Sequence, residues 1–194
     1  MVHAEDLAQR LRAALEPEPG PTPSPGDRLA AVLAPLVMDD EPSLIFTIRA
    51  AALSRHAGEI SFPGGLQDPG ETLEQTAVRE AHEEIGLDPA ASDVLGALSP
   101  LHTFVSSILV VPFVGMLSTL PNLRASEAEI EEILVLPVVD LARAERVVEY
   151  DRPGGGRWRG FAYETGGHTV WGVTGWMVHM LLDTIRLETS WRLP

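Results

Sequence analysis

The sequence of 194 residues contains no cysteine, which excludes disulfide bonds, thiol nucleophiles and cysteine-bound metals. It also contains no continuous apolar stretch approaching the ~20 residues that a transmembrane helix needs. The first ten residues are acidic and lack the apolar segment of a secretory signal peptide. We therefore expect a cytoplasmic protein without a membrane partner.

Basic residues are few. The sequence has 14 lysines and arginines against 28 aspartates and glutamates, which gives a formal net charge of −14 at pH 7. A charge of this sign argues against non-specific binding to nucleic acids or to anionic membranes. A polyanionic substrate would therefore need bound cations or a local basic pocket.

Length and composition favour a single folded domain with a short N-terminal extension. A hydrophobic fraction of 45% is ordinary for a globular protein, and a chain of this length can bury a substantial core. Apolar residues at helical spacing between residues 3 and 15 predict an amphipathic helix. Five prolines between residues 17 and 26 predict a stiff connector. We therefore divide the chain into residues 1–26, the helix and connector, and residues 27–194, the main domain.

The segment that organises this domain is residues 65–87, GLQDPGETLEQTAVREAHEEIGL. Thr72 is a candidate helix N-cap and Gly86 a candidate C-terminal stop. Together they predict a helix from Leu73 to Ile85. Apolar residues at helical spacing supply the stripe that this helix buries.

Three glutamates lie on one face of the predicted helix. Glu80, Glu83 and Glu84 stand at positions i, i+3 and i+4, so their side chains project from the same side. Their charges repel each other unless a cation lies between them, and carboxylate oxygens suit hard cations such as Mg²⁺ or Mn²⁺. The alternative is an acidic helix face that is only solvated.

The spacing of the whole segment resembles the Nudix box of the Nudix hydrolases, with the matching residues Gly65, Glu71, Arg79, Glu80, Glu83, Glu84 and Gly86. The resemblance implies the Nudix fold, an α/β/α sandwich with a mixed β-sheet. It also implies hydrolysis of a nucleoside diphosphate linked to another group, which makes the expected partner a small-molecule nucleotide. Oligomeric state is left open.

The resemblance also assigns roles within the box. Glu80 and Glu84 are expected to be the principal metal ligands, and Glu83 and the Gly64 carbonyl are expected to assist. Arg79 is expected to pair with Glu71 or with a box glutamate and to orient it, since groups behind the ligands commonly do so.

A second resemblance lies upstream of the box. The pattern T-x-R-x-x-x-L-x-x-H-x-G-x-I-x-F-P-G-G, which runs from Thr47 to Gly65, resembles a signature of the coenzyme A pyrophosphatases. The sequence departs from that signature at Ala50, where the family commonly has serine, and at Ser54, where it commonly has arginine. These departures bear on the substrate and not on the Nudix assignment.

Arg49 and His56 are the candidate substrate-binding residues of this upstream segment. They place positive or titratable charge just before an acidic site, and coenzyme A carries a diphosphate and a 3′-phosphate that such groups bind. The alternative is that Arg49 makes a structural ion pair and that His56 caps a turn. Arg55 is interpreted as surface charge.

A second acidic segment, residues 122–132, follows the core strands. Glu129, or with less support Glu132, is a candidate to reach the metals or to act as the general base. A box glutamate such as Glu83 is the alternative base. The other alternative is that residues 122–132 form only an acidic surface strand or loop.

The remaining pattern predicts strands and a final helix. We expect a strand pair at residues 30–37 and 43–49, a short strand at 59–62, a tight turn at 63–65, and strands at 94–98 and 108–116. A short helix at residues 138–143 and a hairpin at 147–163 follow. Pro112 predicts an edge strand or a bulge. Thr174 is predicted to cap the last helix. Trp171 is predicted to lie in the core, and the alternative is a platform for base stacking.

The function predicted from these patterns is metal-dependent hydrolysis of coenzyme A or its derivatives to 3′,5′-ADP and 4′-phosphopantetheine. The nearer alternative is a Nudix hydrolase for another substrate, such as ADP-ribose, NADH or capped RNA. The second alternative is a Nudix-like nucleotide-binding module without turnover.

Overall fold

The computed structural model describes residues 4–17, 19–50, 58–103, 107–151, 156–189 and 191–194. His56, Arg55 and Ser54 lie outside the described residues, as do residues 152–155 of the predicted hairpin at 147–163. The elements in chain order are α1 (Ala4–Ala14), β1 (Arg28–Val37), β2 (Ser43–Arg49), β3 (Ile60–Ser61), β4 (Gly64–Leu66), α2 (Leu73–Ile85), a short 3₁₀ helix (Pro89–Ala91), β5 (Asp93–Ala97), β6 (Leu101–His102), β7 (Ile108–Leu117), β8 (Ile130–Pro137), α3 (Val138–Ala144), β9 (Glu145–Asp151), β10 (Arg157–Thr165), β11 (His168–Val170) and α4 (Gly172–Glu188).

The main sheet is mixed and is built around β1. β1 pairs in parallel with β7 along its whole length and antiparallel with β2 and β4. β5 and β6 pair with β7, whereas β3 and β8 pair with β2. A second sheet has the order β11-β10-β9. The predicted α/β class with a mixed sheet is confirmed.

Helices cover both faces of the main sheet because its central strands carry apolar side chains on both sides. One face packs against α2, and the other packs against α1, α3 and α4. On β1 the residues alternate between these two cores, with Ala30, Ala34 and Leu36 in the larger one and Ala31, Leu33 and Val37 in the other. Leu7 and Leu11 of α1 are fully buried, so the N-terminal helix is part of the larger core.

The prediction that Pro112 marks an edge strand is wrong, but the pairing is irregular at Pro112, as the alternative prediction of a bulge expects. Between the pairs Ala97–Phe113 and Leu101–Val110 the partner side advances four residues while β7 advances three. Pro112 lies in β7, between β1 and β5. Its carbonyl accepts a hydrogen bond from the Leu98 N–H at 2.8 Å. The missing N–H faces the same side, where β5 has ended at Ala97 and β6 has not yet begun. A proline is tolerated there because the N–H that it lacks falls in this gap between the pairing of β5 and that of β6.

Three local predictions, one beside the box and two at the start of α4, are also wrong. The tight turn at residues 63–65 is replaced by β4, in which Gly64 and Gly65 pair with Val32 and Ala31. Thr174 does not cap α4, because the helix already begins at Gly172 after Trp171. Trp171 is 46% exposed and is not a core residue.

A polar cluster joins the second sheet to α4. The carboxylate of Glu145 accepts hydrogen bonds from Tyr163 Oη at 2.9 Å, His179 Nδ1 at 2.9 Å and Arg186 Nη1 at 2.7 Å. Burial alone would raise the pKa of Glu145, but these hydrogen bonds lower it overall. Arg186 also donates to the carbonyl of Pro194, so the last described residue is tied to this cluster.

In the part of the chain that the structure describes, no helix combines the length and apolar character needed to cross a membrane.

Candidate active site

Helix α2 carries the acidic residues, and its bounds are those predicted. Thr72 Oγ1 accepts from the Gln75 N–H while the Gln75 side chain accepts from the Thr72 N–H, which is a capping box. Gly86 ends the helix in the left-handed conformation with φ of 67°. Local interactions therefore fix both ends of the helix. The position of each glutamate around the helix axis is fixed as a result.

Glu84 is buried between α2 and β4. Only 3% of its side chain is exposed, and its Oε2 accepts a hydrogen bond from the Gly64 N–H at 3.1 Å. Arg49 Nη1 of β2 lies 3.6 Å from its Oε1. Glu84 thus stands where β2, β4 and α2 meet.

Gly65 makes room for Glu80. A Cβ built at Gly65 would overlap the carboxylate of Glu80. Gly64 has a different neighbour, since a Cβ there would lie 2.5 Å from the Ala31 carbonyl oxygen in β1. The missing side chain of Gly65 therefore lets the Glu80 carboxylate approach one side of β4. The missing side chain of Gly64 lets β1 approach the other side.

The carboxylates of the site perturb each other. Burial raises the pKa of Glu84 to about 7, a shift that the Gly64 hydrogen bond and the charge of Arg49 oppose and that the charges of Glu80 and Glu129 increase. Burial also raises the pKa of Glu80, against the hydrogen bond from Arg79. A group of buried carboxylates that resist ionisation gains most from a cation placed among them.

Arg79 is the hub of the exposed side of the site. Its guanidinium donates to Glu71 Oε1 at 2.7 Å, Glu80 Oε1 at 2.8 Å and Glu83 Oε2 at 3.0 Å. The hydrogen bond from Arg79 lowers the pKa of Glu71 to about 2. One planar side chain therefore holds three box carboxylates in fixed positions, as a multiply donating guanidinium can.

Sequence reasoning missed two contacts that support this hub. Thr76 is fully buried, and its Oγ1 donates to Glu71 Oε2 at 2.9 Å. The Leu66 carbonyl of β4 accepts from Arg79 Nη2 at 3.3 Å. The available signal was a polar residue, Thr76, beside Ala77 in the apolar stripe of α2.

Glu129 lies next to the site, just before β8. Its carbonyl accepts from the Ala50 N–H at 2.9 Å, and its side chain is exposed. The charge of Glu129 contributes to the raised pKa of both Glu80 and Glu84. The structure therefore brings Glu129 and Arg49 to the box residues, while His56 lies outside the described residues.

The residues present fit a hard divalent cation by their chemistry. Glu80 and Glu84 are carboxylates with raised pKa values, and carboxylate oxygen is the donor that Mg²⁺ and Mn²⁺ prefer. Within the described ranges, no group of three histidine, aspartate or glutamate side chains already converges on one point. In this structure Arg79 donates hydrogen bonds to Glu80 and Glu83 and so compensates part of their negative charge.

We predict that Arg79→Lys lowers kcat about 10–100-fold, because an ammonium group cannot hold Glu71, Glu80 and Glu83 together as the guanidinium does. The measurement is kcat at saturating Mg²⁺, together with the Mg²⁺ concentration that gives half of the maximal rate. Arg143→Lys is the control, since Arg143 is exposed and its recorded ion pair is with Asp140 on α3. A wild-type value of kcat in Arg79→Lys would contradict the positioning role of Arg79.

Comparisons with known proteins identify the family. A model of the NUDIX domain matches residues 27–154. Among curated proteins, the chain is 33% identical over 189 residues to the uncharacterised Nudix hydrolase NudL of Photorhabdus laumondii, covering 96% of this chain and 100% of the relative. It is 39% identical over 154 residues to NudL of Salmonella paratyphi B, covering 76% and 77% of the two chains.

Solved structures agree on the fold. A MutT/nudix family protein from Enterococcus faecalis has a TM-score of 0.57 at 11% identity and covers 95% of this chain and 75% of its own. The Nudix hydrolase RenU of M. smegmatis has a TM-score of 0.52 at 21% identity, over 60% and 74% of the two chains. Nudix hydrolases cleave the diphosphate bond of nucleoside diphosphates linked to another group and generally use divalent metal ions. With the box residues, the sheet and both sets of relatives in agreement, the chain belongs to the Nudix hydrolase family.

Proposed function

We propose that this protein hydrolyses the diphosphate of coenzyme A or its derivatives, with Mg²⁺ or Mn²⁺, to 3′,5′-ADP and 4′-phosphopantetheine. The observation that carries the proposal is the meeting of Arg49, from the upstream signature, with the buried Glu84 of the box at 3.6 Å. The signature associated with coenzyme A and the hydrolytic box thus contribute to one site. A cytoplasmic location is part of the proposal.

In this mechanism Glu80 and Glu84 hold the metal, with Glu83 and the Gly64 carbonyl as further oxygen donors. The bound ion would neutralise the diphosphate and lower the pKa of a water molecule. The N–H of Gly64 keeps Glu84 in place through its hydrogen bond, and Arg79 keeps Glu80 and Glu83 in place.

Arg49 supplies the positive charge that the substrate needs in a protein of net charge −14. Its guanidinium lies 3.6 Å from Glu84, at the edge of the acidic site, where it would bind a diphosphate oxygen of the substrate. His56 is proposed as a second phosphate-binding residue on the basis of the signature alone.

The general base is a carboxylate close to the metal ligands. Glu129 is proposed for this role because its side chain is exposed and its charge acts on both Glu80 and Glu84. Glu83 is the alternative, although Arg79 already holds it. A base that accepts the proton of the attacking water must reach it within a hydrogen bond.

One competing substrate class is supported by a specific observation. Ala50 and Ser54 depart from the coenzyme A signature, and Ala50 is bonded through its N–H to Glu129. A serine hydroxyl next to Arg49 is therefore missing from the site. ADP-ribose, NADH or capped RNA would then be the substrate of the same machinery. A binding module without turnover is disfavoured because every acidic position of the box is present.

The test is product analysis after incubation with coenzyme A, ADP-ribose or NADH in Mg²⁺ or Mn²⁺. We expect metal-dependent release of 3′,5′-ADP, fastest from coenzyme A, and a loss of at least ~100-fold in Glu80→Gln. Faster turnover of ADP-ribose or NADH would keep the Nudix chemistry and reject coenzyme A. Metal binding without hydrolysis of any of the three would favour the binding module.

A further inference from the structure

A threonine is fully buried in the side of α2 that packs against the main sheet. Thr76 has none of its surface exposed, and Leu73 and Ala77 of the same helix belong to the apolar core between α2 and the sheet. A hydroxyl buried in such surroundings is costly unless its hydrogen bonds are made. The partners of this hydroxyl therefore decide what Thr76 contributes.

The hydroxyl of Thr76 has two acceptors. Its Oγ1 lies 2.9 Å from Glu71 Oε2 and 3.1 Å from the carbonyl oxygen of Thr72. A bond to the carbonyl one turn earlier is common for a threonine inside a helix. The hydroxyl has a single hydrogen to donate, and the nearer, charged acceptor makes the stronger bond. Thr76 therefore donates mainly to the Glu71 carboxylate.

The Glu71 carboxylate is bonded through both of its oxygens. Oε1 accepts from Arg79 Nε at 2.7 Å. Oε2 accepts from Arg79 Nη2 at 3.2 Å and from the Asp68 N–H at 3.3 Å, in addition to the hydroxyl of Thr76. Thr76 is the nearest of these three donors to Oε2. Loss of its hydroxyl would leave Oε2 with two longer bonds, so the carboxylate could rotate more freely.

Glu71 in turn decides which edge of the Arg79 guanidinium faces the other box glutamates. Nε and Nη2 both donate to Glu71, and a bidentate pair of this kind fixes the plane of the guanidinium. The remaining nitrogen, Nη1, donates to Glu80 Oε1 at 2.8 Å and to Glu83 Oε2 at 3.0 Å. A rotation of the Glu71 carboxylate would turn the guanidinium with it and move Nη1 away from Glu80 and Glu83.

We propose that Thr76 is a positioning residue, which acts through Glu71 and Arg79 on Glu80 and Glu83. This inference rests on the proposed metal-binding role of the last two glutamates and does not depend on which diphosphate is the substrate. Residues that orient metal ligands from behind commonly change metal affinity or activity about 10–100-fold when they are replaced. Thr76 lies two contacts away from Glu80, so we expect an effect at the lower end of this range.

The test compares Thr76→Val, which keeps the shape of the side chain but removes the hydroxyl, with Thr76→Ser, which keeps the hydroxyl. In the metal-free protein we expect the Arg79 Nε–H to exchange with water about 10-fold faster in Thr76→Val, because exchange reports local opening. NMR measures this exchange, and the loss of the signal in Arg79→Lys identifies it. The exchange rate in Thr76→Ser should stay close to that of wild type.

The same variants are then compared in Mn²⁺ binding by calorimetry and in hydrolysis of coenzyme A and of ADP-ribose. We expect Thr76→Val to raise the Kd of Mn²⁺ and to lower kcat, each about 10-fold, with KM unchanged. Added to Glu71→Gln, it should cause little further loss, because effects within one hydrogen-bond network are not additive. Thr184→Val is the matched control, since Thr184 Oγ1 donates to the Met180 carbonyl one turn earlier in α4.

Unchanged Arg79 exchange and unchanged kcat in Thr76→Val would overturn the proposal. An equal loss in Thr76→Ser would assign the effect to packing of the methyl group, and an equal loss in Thr184→Val would assign it to the bond with the preceding turn. A full additional loss in the Glu71→Gln background would show that Thr76 does not act through Glu71. If wild type hydrolysed neither substrate, the proposed function would fail, while the Arg79 exchange and the Mn²⁺ affinity would still decide the role of Thr76.

Discussion

Glu84→Gln is expected to lower kcat/KM about 1000-fold while making the metal-free protein more stable at pH 8. The activity falls because a neutral amide replaces a proposed metal-binding carboxylate. The fold is kept because the glutamine oxygen can still accept the Gly64 N–H that now binds Glu84 Oε2. Opposite effects on activity and stability would separate a functional carboxylate from a structural one.

The gain in stability follows from the raised pKa of Glu84. The pKa is about 7 in the folded protein and 4.5 for an ordinary glutamate. Between these values the folded state keeps a proton that the unfolded state has lost, so the free energy of unfolding falls as pH rises through this window. A shift of this size corresponds to about 3 kcal/mol, or about 5–10 °C in Tm. Glutamine carries no such pH dependence.

The measurement is Tm from pH 4 to pH 8 in EDTA, with kcat/KM measured in Mg²⁺. Wild type should lose stability toward pH 8 and regain it when Mg²⁺ is added, whereas Glu84→Gln should show a smaller loss and a smaller gain, those that Glu80 with its own raised pKa still contributes. Glu74→Gln is the matched control, because Glu74 is an exposed residue of the same helix. A lower Tm in Glu84→Gln at pH 8, or activity within threefold of wild type, would contradict the assignment.

The second large effect separates two adjacent glycines. Gly64→Ala places a Cβ 2.5 Å from the Ala31 carbonyl oxygen and 2.6 Å from Val32 Cα. Both atoms belong to β1 and cannot move without disturbing the sheet, so we expect a loss of about 3 kcal/mol in the free energy of unfolding. In Gly65→Ala the three nearest atoms to the new Cβ all belong to the end of the Glu80 side chain, which can rotate away.

Gly65→Ala should therefore keep its stability within about 1 kcal/mol and lose about 100-fold in kcat, because a ligand displaced by an ångström is enough for such a loss. Urea unfolding and steady-state kinetics measure the two quantities. Gly20→Ala is the control, because a Cβ at Gly20 has no neighbour within 4 Å. Equal destabilisation by Gly64→Ala and Gly65→Ala would show that Glu80 is fixed by packing and not poised for a ligand.

The parts of the site that the sequence predicts correctly are those fixed locally. The bounds of α2 follow from Thr72 and Gly86, and helical spacing alone puts Glu80, Glu83 and Glu84 on one side. The contact between Arg49 and Glu84 joins residues 35 positions apart, and it depends on how β2 and β4 meet α2. The resemblance to the coenzyme A pyrophosphatases predicts that both residues belong to one site. Their spacing in the sequence alone does not predict this contact.

The failed predictions have tertiary causes. The sequence around Gly64 and Gly65 predicts a turn, but both residues pair with β1 and form a strand. Trp171 reads as a core residue because it is large and apolar. It is 46% exposed even though Tyr150 contacts it, and this contact depends on tertiary packing that its own sequence neighbourhood does not encode. The sequence does not distinguish a strand from a loop at β8, because Glu131 and Glu132 interrupt its apolar pattern. Both glutamates are exposed in the strand that flanks β2.

The parallel pairing of β1 with β7 has a consequence for how the chain folds during synthesis. Arg28 pairs with Ile108 and Val37 with Leu117, so β1 waits for about 80 residues of further translation before its main partner exists, or roughly 4–16 s at ordinary rates. Closing so long a loop is entropically costly and slow. For most of that interval the edge of β1 that β7 later covers stays unpaired, although β2 and β4 have already been synthesised and can pair with its other edge.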